Sequence, residues 1–160
     1  MSAGITGRTQ LAGVIGWPTS QSLSPAMHNA AYEVLDLDWA YVPLPVPDER
    51  ALTRVLDAIR ILPFVGFNVT MPYKREMLGL CDEVATLARM VGAVNTVHCV
   101  EGRLIGYNTD GRGIVDSLAA EAGFDPAGRS IAIVGAGGAA SAALVSFALG
   151  KAEHIVMLNR

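Results

Sequence analysis

Four short polar clusters hold the side chains of this sequence that could do chemistry. Ser20-Gln21-Ser22-Leu23-Ser24 is the first, and Asn68-Val69-Thr70-Met71-Pro72-Tyr73-Lys74 is the second. Gly92-Ala93-Val94-Asn95-Thr96 and Gly106-Tyr107-Asn108-Thr109-Asp110 are the others. Hydroxyls and amides both donate and accept hydrogen bonds, so together they suit a ligand that carries a ring of hydroxyl groups and an anionic group. A lysine and an aspartate, Lys74 and Asp110, supply a proton-transfer pair. No His/Cys/Asp cluster stands at metal-ligand spacing, so no metal is expected. Each cluster also has a plainer reading. Ser24 and Asp110 are good helix N-caps, Asn68 and Asn108 are turn-forming amides, and Lys74 is an ordinary surface lysine. His28, inside a helical stretch, reads as a packed or capping residue rather than a ligand, and Trp17 and Trp39 as core or pocket wall.

These clusters need elements to hold them, and the apolar pattern supplies a series. Leu11–Ile15 is a short buried strand. A helix opens at Pro25, in the first helical position, and runs to about Leu35. Trp39–Val46 is a strand pushed to a sheet edge by its prolines at 43 and 45, with Pro47 just beyond. Asp48 caps a helix with Leu52, Val55, Leu56, Ile59 and Leu62 on one face. Phe64–Val69 is a strand, Arg75–Leu80 forms helical turns, and Glu83–Val91 is a helix. Val94–Val100 and Arg103–Tyr107 form a hairpin about Glu101-Gly102. Asp110–Ala122 is a helix ended by Gly123, Ser130–Val134 a strand, Ala139–Leu149 a helix, and His154–Leu158 a strand. Strands alternate with helices throughout. The fold class is therefore α/β with an open, mostly parallel sheet, and the polar clusters lie where such sheets bind ligands, at strand ends.

The strand Ser130–Val134 carries a second signal. Ile131–Val134 runs into Gly135-Ala136-Gly137-Gly138-Ala139-Ala140, a G-x-G-x-x-A turn between strand and helix. Gly135 permits the tight turn, Gly137 lets backbone approach a pyrophosphate, and Ala140 lets helix and strand pack closely. Free N–H groups at the helix start then meet the phosphate charge. About 20 residues on, where an NAD site carries an acid, the sequence has Asn159 and Arg160. Arginine suits a 2′-phosphate, which favours NADP.

Bulk properties narrow the rest. The chain has 160 residues, of which 51% are hydrophobic and 17% charged, enough to bury a core. The net charge of −3 offers no field for nucleic acid or an anionic membrane, so neither is an expected partner. The longest apolar stretch, Gly135–Gly150, is shorter than the roughly 20 residues a membrane span needs. Cys81 and Cys99 form no CxxC pair and read as buried free thiols, which fits a cytoplasmic location.

Taken together and in order, the motifs resemble the shikimate dehydrogenase family. Ser22-Leu-Ser24-Pro-Ala-Met-His-Asn is similar to its serine motif, and Asn68-Val-Thr-Met-Pro-Tyr-Lys74 to its N-V-T-x-P-x-K element. Gly92–Thr96, Gly106–Gly113, Gly135–Ala139 and Asn159-Arg160 resemble the remaining motifs. The resemblance runs from about Leu11 to Arg160. It implies NADPH-dependent, reversible reduction of 3-dehydroshikimate to shikimate, in the pathway to chorismate and the aromatic amino acids. It implies that Ser22 and Ser24 bind the carboxylate and that Thr70, Asn95, Lys74 and Asp110 hold the ring hydroxyls. Lys74 and Asp110 would be the catalytic pair. Gly135, Ala136, Gly137, Gly138, Ala139, Asn159 and Arg160 would bind NADP.

On this reading residues 1–110 form a substrate domain and residues 111–160 begin a Rossmann-type domain. A complete domain of that type needs about six strands, and two are present. A sheet of two strands is expected to leave an edge and two apolar faces uncovered, with its tail mobile or held by another copy of the chain. The chain by itself is then expected to be inactive, as a monomer or homodimer. The alternatives are a quinate/shikimate dehydrogenase using NAD and a non-catalytic shikimate-binding module.

Overall fold

The computed structural model describes residues 4–159. Its first unit is a six-stranded sheet. The strands are β1 (Gln10–Gly16), β2 (Trp39–Pro45), β3 (Phe64–Val69), β4 (Glu83–Val84), β5 (Thr96–Val100) and β6 (Arg103–Tyr107). Their order across the sheet is β2-β1-β3-β5-β6-β4. The β1/β2, β1/β3 and β4/β6 ladders are parallel, whereas β5 runs antiparallel to both β3 and β6. The proline-bearing β2 is an edge strand, as its missing N–H donors require.

Both faces of this sheet carry helices. Helix α1 (Ser24–Val34) covers Ala12, Val14 and Tyr41 on one face, with Tyr32 packed against them. The main core lies on the other face, under α2 (Glu49–Ile59), α3 (Met77–Leu80) and α4 (Thr86–Val91). There Ile15, Phe67, Val69, Val97 and Leu104 of the strands meet Leu52, Leu56, Ile59, Met77 and Ala88 of the helices. Helix α2 starts where the sequence predicts, with the Asp48 carboxylate accepting from Ala51 N–H at 2.7 Å. Asp48→Ala is expected to destabilise the fold by about 1 kcal/mol, the usual value of an N-cap, in a denaturant titration. An unchanged midpoint would show that packing of the α2 apolar face holds the helix start without the cap.

The second unit is smaller. Helix α5 (Asp110–Ala122) leads through Gly123 to β7 (Ser130–Val134), α6 (Gly138–Leu149) and β8 (His154–Leu158). Strands β7 and β8 pair in parallel. Ala142 of α6 is fully buried against Val91 and Ala93, so this unit is docked on α4 and the chain after it. Helix α6 contacts both strands, whereas Val134, Val156 and Leu158 point outward. Among the described residues one apolar face of this sheet is open, not the two expected, because α6 folds back over the other.

Several sequence expectations need correction. The helix foreseen over Glu83–Val91 begins only at Thr86. Glu83-Val84 instead pairs with β6, held by Asp82 N–H on the Leu104 carbonyl and Ala85 N–H on the Gly106 carbonyl. An open sheet edge outcompetes local helix propensity there. Helix α2 ends at Ile59, so Leu62 lies outside it, half exposed. Neither Ser24 nor Asp110 is an N-cap. Leu23 and Thr109 hold those positions, and Pro25 is the second helical residue of α1. Asn68 is no turn residue but lies within β3. Of the two readings of Trp17 and Trp39, core or pocket wall, the second holds: they are 50% and 37% exposed and line pockets. His28 stacks on Tyr41 at 4.3 Å between ring centroids, and burial lowers its pKa.

Candidate active site

Three loops meet at one end of the large sheet. The chain leaves β1 at Gly16 and β3 at Val69, and these exits lie side by side. Thr70 N–H donates to the Ile15 carbonyl at 2.8 Å, and Trp17 N–H to the Met71 carbonyl at 2.9 Å. The Thr70–Lys74 loop then runs against the chain entering β5, where Val94 N–H donates to the Lys74 carbonyl at 2.7 Å. The hairpin β5/β6 returns the chain to the same end, and α5 starts there with Asp110.

Lys74 Nζ donates to Asp110 Oδ2 at 2.7 Å across 36 residues of sequence. Both side chains keep about a quarter or less of their surface open, 25% and 21%. The other carboxylate oxygen, Oδ1, accepts from Asn95 Nδ2 at 2.7 Å. Asn95 is buried and saturated. Its second amide hydrogen goes to Thr109 Oγ1, and its carbonyl accepts from Thr109 N–H at 2.9 Å and the Thr96 hydroxyl at 3.0 Å. Asn108 ties the approach to α5 by donating to the Ala93 carbonyl and accepting from Asp110 N–H. Freed from capping its own helix, the Asp110 carboxylate faces Lys74. Lysine retains two further N–H donors for a ligand.

The serine cluster lies at the start of α1. Ser22 Oγ accepts from Ser24 N–H at 3.3 Å, a weak local bond that leaves the hydroxyl proton available. The Tyr41 phenol lies beside the Ser24 hydroxyl and donates to Asn68 Oδ1 at 2.7 Å. Burial pushes the Tyr41 phenol well above its ordinary value, Tyr32 adds to this, and the Ser24 hydroxyl opposes it. Asn68 Nδ2 donates in turn to Thr96 Oγ1 at 3.2 Å. The sequence places Asn68 and Thr96 in the polar clusters, Asn68 with a turn-forming amide as its plainer reading, but gives neither a role of its own, and it passes over Tyr41. No local signal marks their pairing, since their partners come from other strands.

The glycine turn reaches the same place. Gly138, the first residue of α6, lies so that a Cβ on it would be 3.8 Å from Lys74 Cδ. Gly135 has φ +118°, which side chains rarely adopt. A Cβ at Gly135 or Gly137 would meet only open space, so the turn is a concave backbone surface with room for a ligand. Gly137, extended at the N-cap, gives no side-chain cap, and the first-turn N–H groups of α6 point at that space. Gly135 N–H donates to the Leu158 carbonyl at 2.7 Å, which brings Asn159 beside the turn. Arg160 lies outside the described residues. The residues present therefore fit the pyrophosphate of a dinucleotide.

Residues 14–97, just over half of the chain, match the family model of the shikimate dehydrogenase substrate binding domain. The chain belongs to the shikimate dehydrogenase family. It is 51% identical over 156 residues to the shikimate dehydrogenase (NADP(+)) of Citrifermentans bemidjiense, covering 98% of this chain and 53% of that protein. A crystal structure of a shikimate dehydrogenase in complex with NADP+ superposes with a TM-score of 0.92 at 41% identity, covering 98% of this chain and 53% of that one. The shikimate 5-dehydrogenase of Listeria monocytogenes, in complex with shikimate and NAD, gives the same TM-score and identity over all of this chain and 55% of its own. The chain thus spans about half the length of the family relatives it matches. Among the described residues no helix is long and apolar enough to cross a membrane. Cys81 and Cys99 are free and half-buried, their thiols pushed up to about 11 chiefly by burial, so they contribute little thiolate chemistry.

Proposed function

We propose that this chain carries the shikimate-binding domain of an NADP-dependent shikimate dehydrogenase in residues 1–110 and the start of its NADP-binding domain in residues 111–160. The observation that carries this reading is the Lys74–Asp110 pair, 2.7 Å apart and partly open, beside the glycine turn. The reaction is the reversible reduction of 3-dehydroshikimate to shikimate. Gly135, Ala136, Gly137, Gly138, Ala139 and Asn159 hold NADP, with Arg160 on its 2′-phosphate. Bound there, NADPH supplies the hydride and NADP accepts it in the reverse direction.

The protein's own part is binding and proton transfer. Ser22 and Ser24 bind the substrate carboxylate with their hydroxyls. Thr70 and Asn95 bind ring hydroxyls, Asn95 by giving up one of its internal bonds. Lys74 donates a proton to the carbonyl oxygen during reduction and takes it from the hydroxyl during oxidation. Asp110 orients the Lys74 amine and accepts from a neighbouring ring hydroxyl. A purely binding module needs hydroxyls and amides but no cation–carboxylate pair with free N–H donors, which favours the enzyme over the module.

The test is shikimate oxidation with NADP by a protein that extends this sequence to the length of its relatives. Ser22→Ala and Ser24→Ala are expected to raise the shikimate KM about ten- to a hundredfold, the loss of one charge-assisted hydrogen bond each, with kcat nearly unchanged. The carboxylate is bound equally in ground and transition states, so only KM responds. Wild-type KM in both variants, with a lower Tm, would return these serines to a local structural role around Ser24 N–H.

A further inference from the structure

A file of hydrogen bonds runs beneath the candidate site, from Tyr41 through Asn68 and Thr96 to Asn95. The Tyr41 hydroxyl donates to Asn68 Oδ1 at 2.7 Å. Asn68 therefore turns its NH2 toward Thr96 Oγ1 at 3.2 Å. The Thr96 hydroxyl keeps its proton to donate, and of its two further neighbours Asn95 Oδ1 at 3.0 Å is nearer than Thr109 Oγ1 at 3.4 Å. The Asn95 carbonyl is thereby held away from Asp110, and its NH2 meets Asp110 Oδ1 at 2.7 Å. Asp110 Oδ2 is left to receive Lys74.

The direction matters because an amide is nearly symmetric in shape but not in charge. Rotated by half a turn, Asn95 would present its carbonyl oxygen to the Asp110 carboxylate, two acceptors facing one another. Thr109 N–H also donates to Asn95 Oδ1 at 2.9 Å, and the Thr109 hydroxyl lies in donating range at 3.3 Å, so the Thr96 hydroxyl shares the task with two groups of Thr109. Tyr41 is 4% exposed and Asn95 8%, so bulk water cannot readily replace a lost partner at either end.

We infer that Tyr41, Asn68 and Thr96 are positioning residues, whose polarised hydrogen-bond chain sets the orientation of Asn95 and through it the Asp110 carboxylate against Lys74. None of the three need touch the reacting atoms. The catalytic part of this inference rests on the dehydrogenase reading above, whereas the orientation of Asn95 can be measured without it.

Thr96→Val keeps the shape and removes the hydroxyl, Thr96→Ser restores the hydroxyl, and Tyr41→Phe removes the first donor. In the 160-residue chain, NMR exchange of the Asn95 side-chain amide hydrogens is expected to be about tenfold faster in Thr96→Val and Tyr41→Phe, and near wild type in Thr96→Ser. In the protein extended to the length of its relatives, the first two variants are expected to lose about five- to tenfold in kcat, with shikimate KM within about twofold, and Thr96→Ser to recover. Unchanged amide exchange in Thr96→Val overturns the inference. So does a kcat within twofold of wild type in an extended protein that does oxidise shikimate. Absence of shikimate turnover by the extended wild type sinks the dehydrogenase reading instead, and the amide-exchange comparison then decides the positioning role alone.

Discussion

Lys74→Ala, in a protein extended to the length of its relatives, is expected to lower kcat for shikimate oxidation by about 10²–10⁴-fold, with a much smaller change in KM. Lys74 is the one ammonium group set against the Asp110 carboxylate, at 2.7 Å, with donors to spare for a ligand oxygen. On the proposed reading, removing it deletes the proton carrier and leaves Ser22, Ser24, Thr70 and Asn95 to bind ground-state shikimate. The loss should therefore fall on the step in which the hydroxyl proton leaves. Lys74→Arg should not rescue, because guanidinium does not give up a proton near neutral pH. A loss below about tenfold, with KM raised instead, would make Lys74 a ligand-holding residue and move the proton transfer elsewhere.

Gly111→Ala is expected to destabilise the chain by about 1–3 kcal/mol, the usual cost of overpacking. Gly111 is buried in the first turn of α5, next to Asp110. A Cβ there would stand 2.5 Å from the Ala142 carbonyl oxygen and closer still to Ser146 Oγ on α6. Ser146 can rotate away, but the Ala142 carbonyl can move only with its helix. Replacing glycine by alanine in a helix interior gains about 1 kcal/mol in propensity, and less at the second helical position. A backbone contact of this closeness outweighs that gain. Helix α6 must then shift, and its first residue, Gly138, sits against Lys74. In the extended protein the KM for NADP should accordingly rise more than the KM for shikimate. Denaturant titration and the two KM values check the two halves of this expectation. An unchanged unfolding midpoint would mean that α5 and α6 are not in close contact in solution.

Both predictions concern residues whose significance was unevenly visible beforehand. Lys74 and Asp110 stand out in the sequence as the lysine and aspartate of the polar clusters, and the structure brings them together. Gly111 carries no such mark. Its importance is a distance to α6, about thirty residues away in the chain, and no local pattern encodes that distance.

The sequence by itself determined the elements whose limits are local. Strands β3, β7 and β8 and helix α5 end where expected because apolar runs stop at glycine, asparagine or polar turns. The hairpin turn at Glu101-Gly102 is equally local, both residues having positive φ. The edge position of β2 follows from its prolines, which lack the donors that a central strand needs. The G-x-G-x-x-A turn is likewise a property of residues adjacent in the chain.

Only the tertiary structure decided the rest. Whether Glu83-Val84 forms helix or strand depends on the free edge of β6, some twenty residues away. Asp110 reads locally as an N-cap, yet its carboxylate turns to Lys74 and Asn95, because a cation and an amide brought from two other segments are stronger partners than its own helix start. The hydrogen-bond file from Tyr41 to Asn95 crosses three strands and exists only once β2, β3 and β5 lie in register. A hydrogen bond requires two groups within about 3 Å, and chain neighbours cannot report which distant residue will occupy that space.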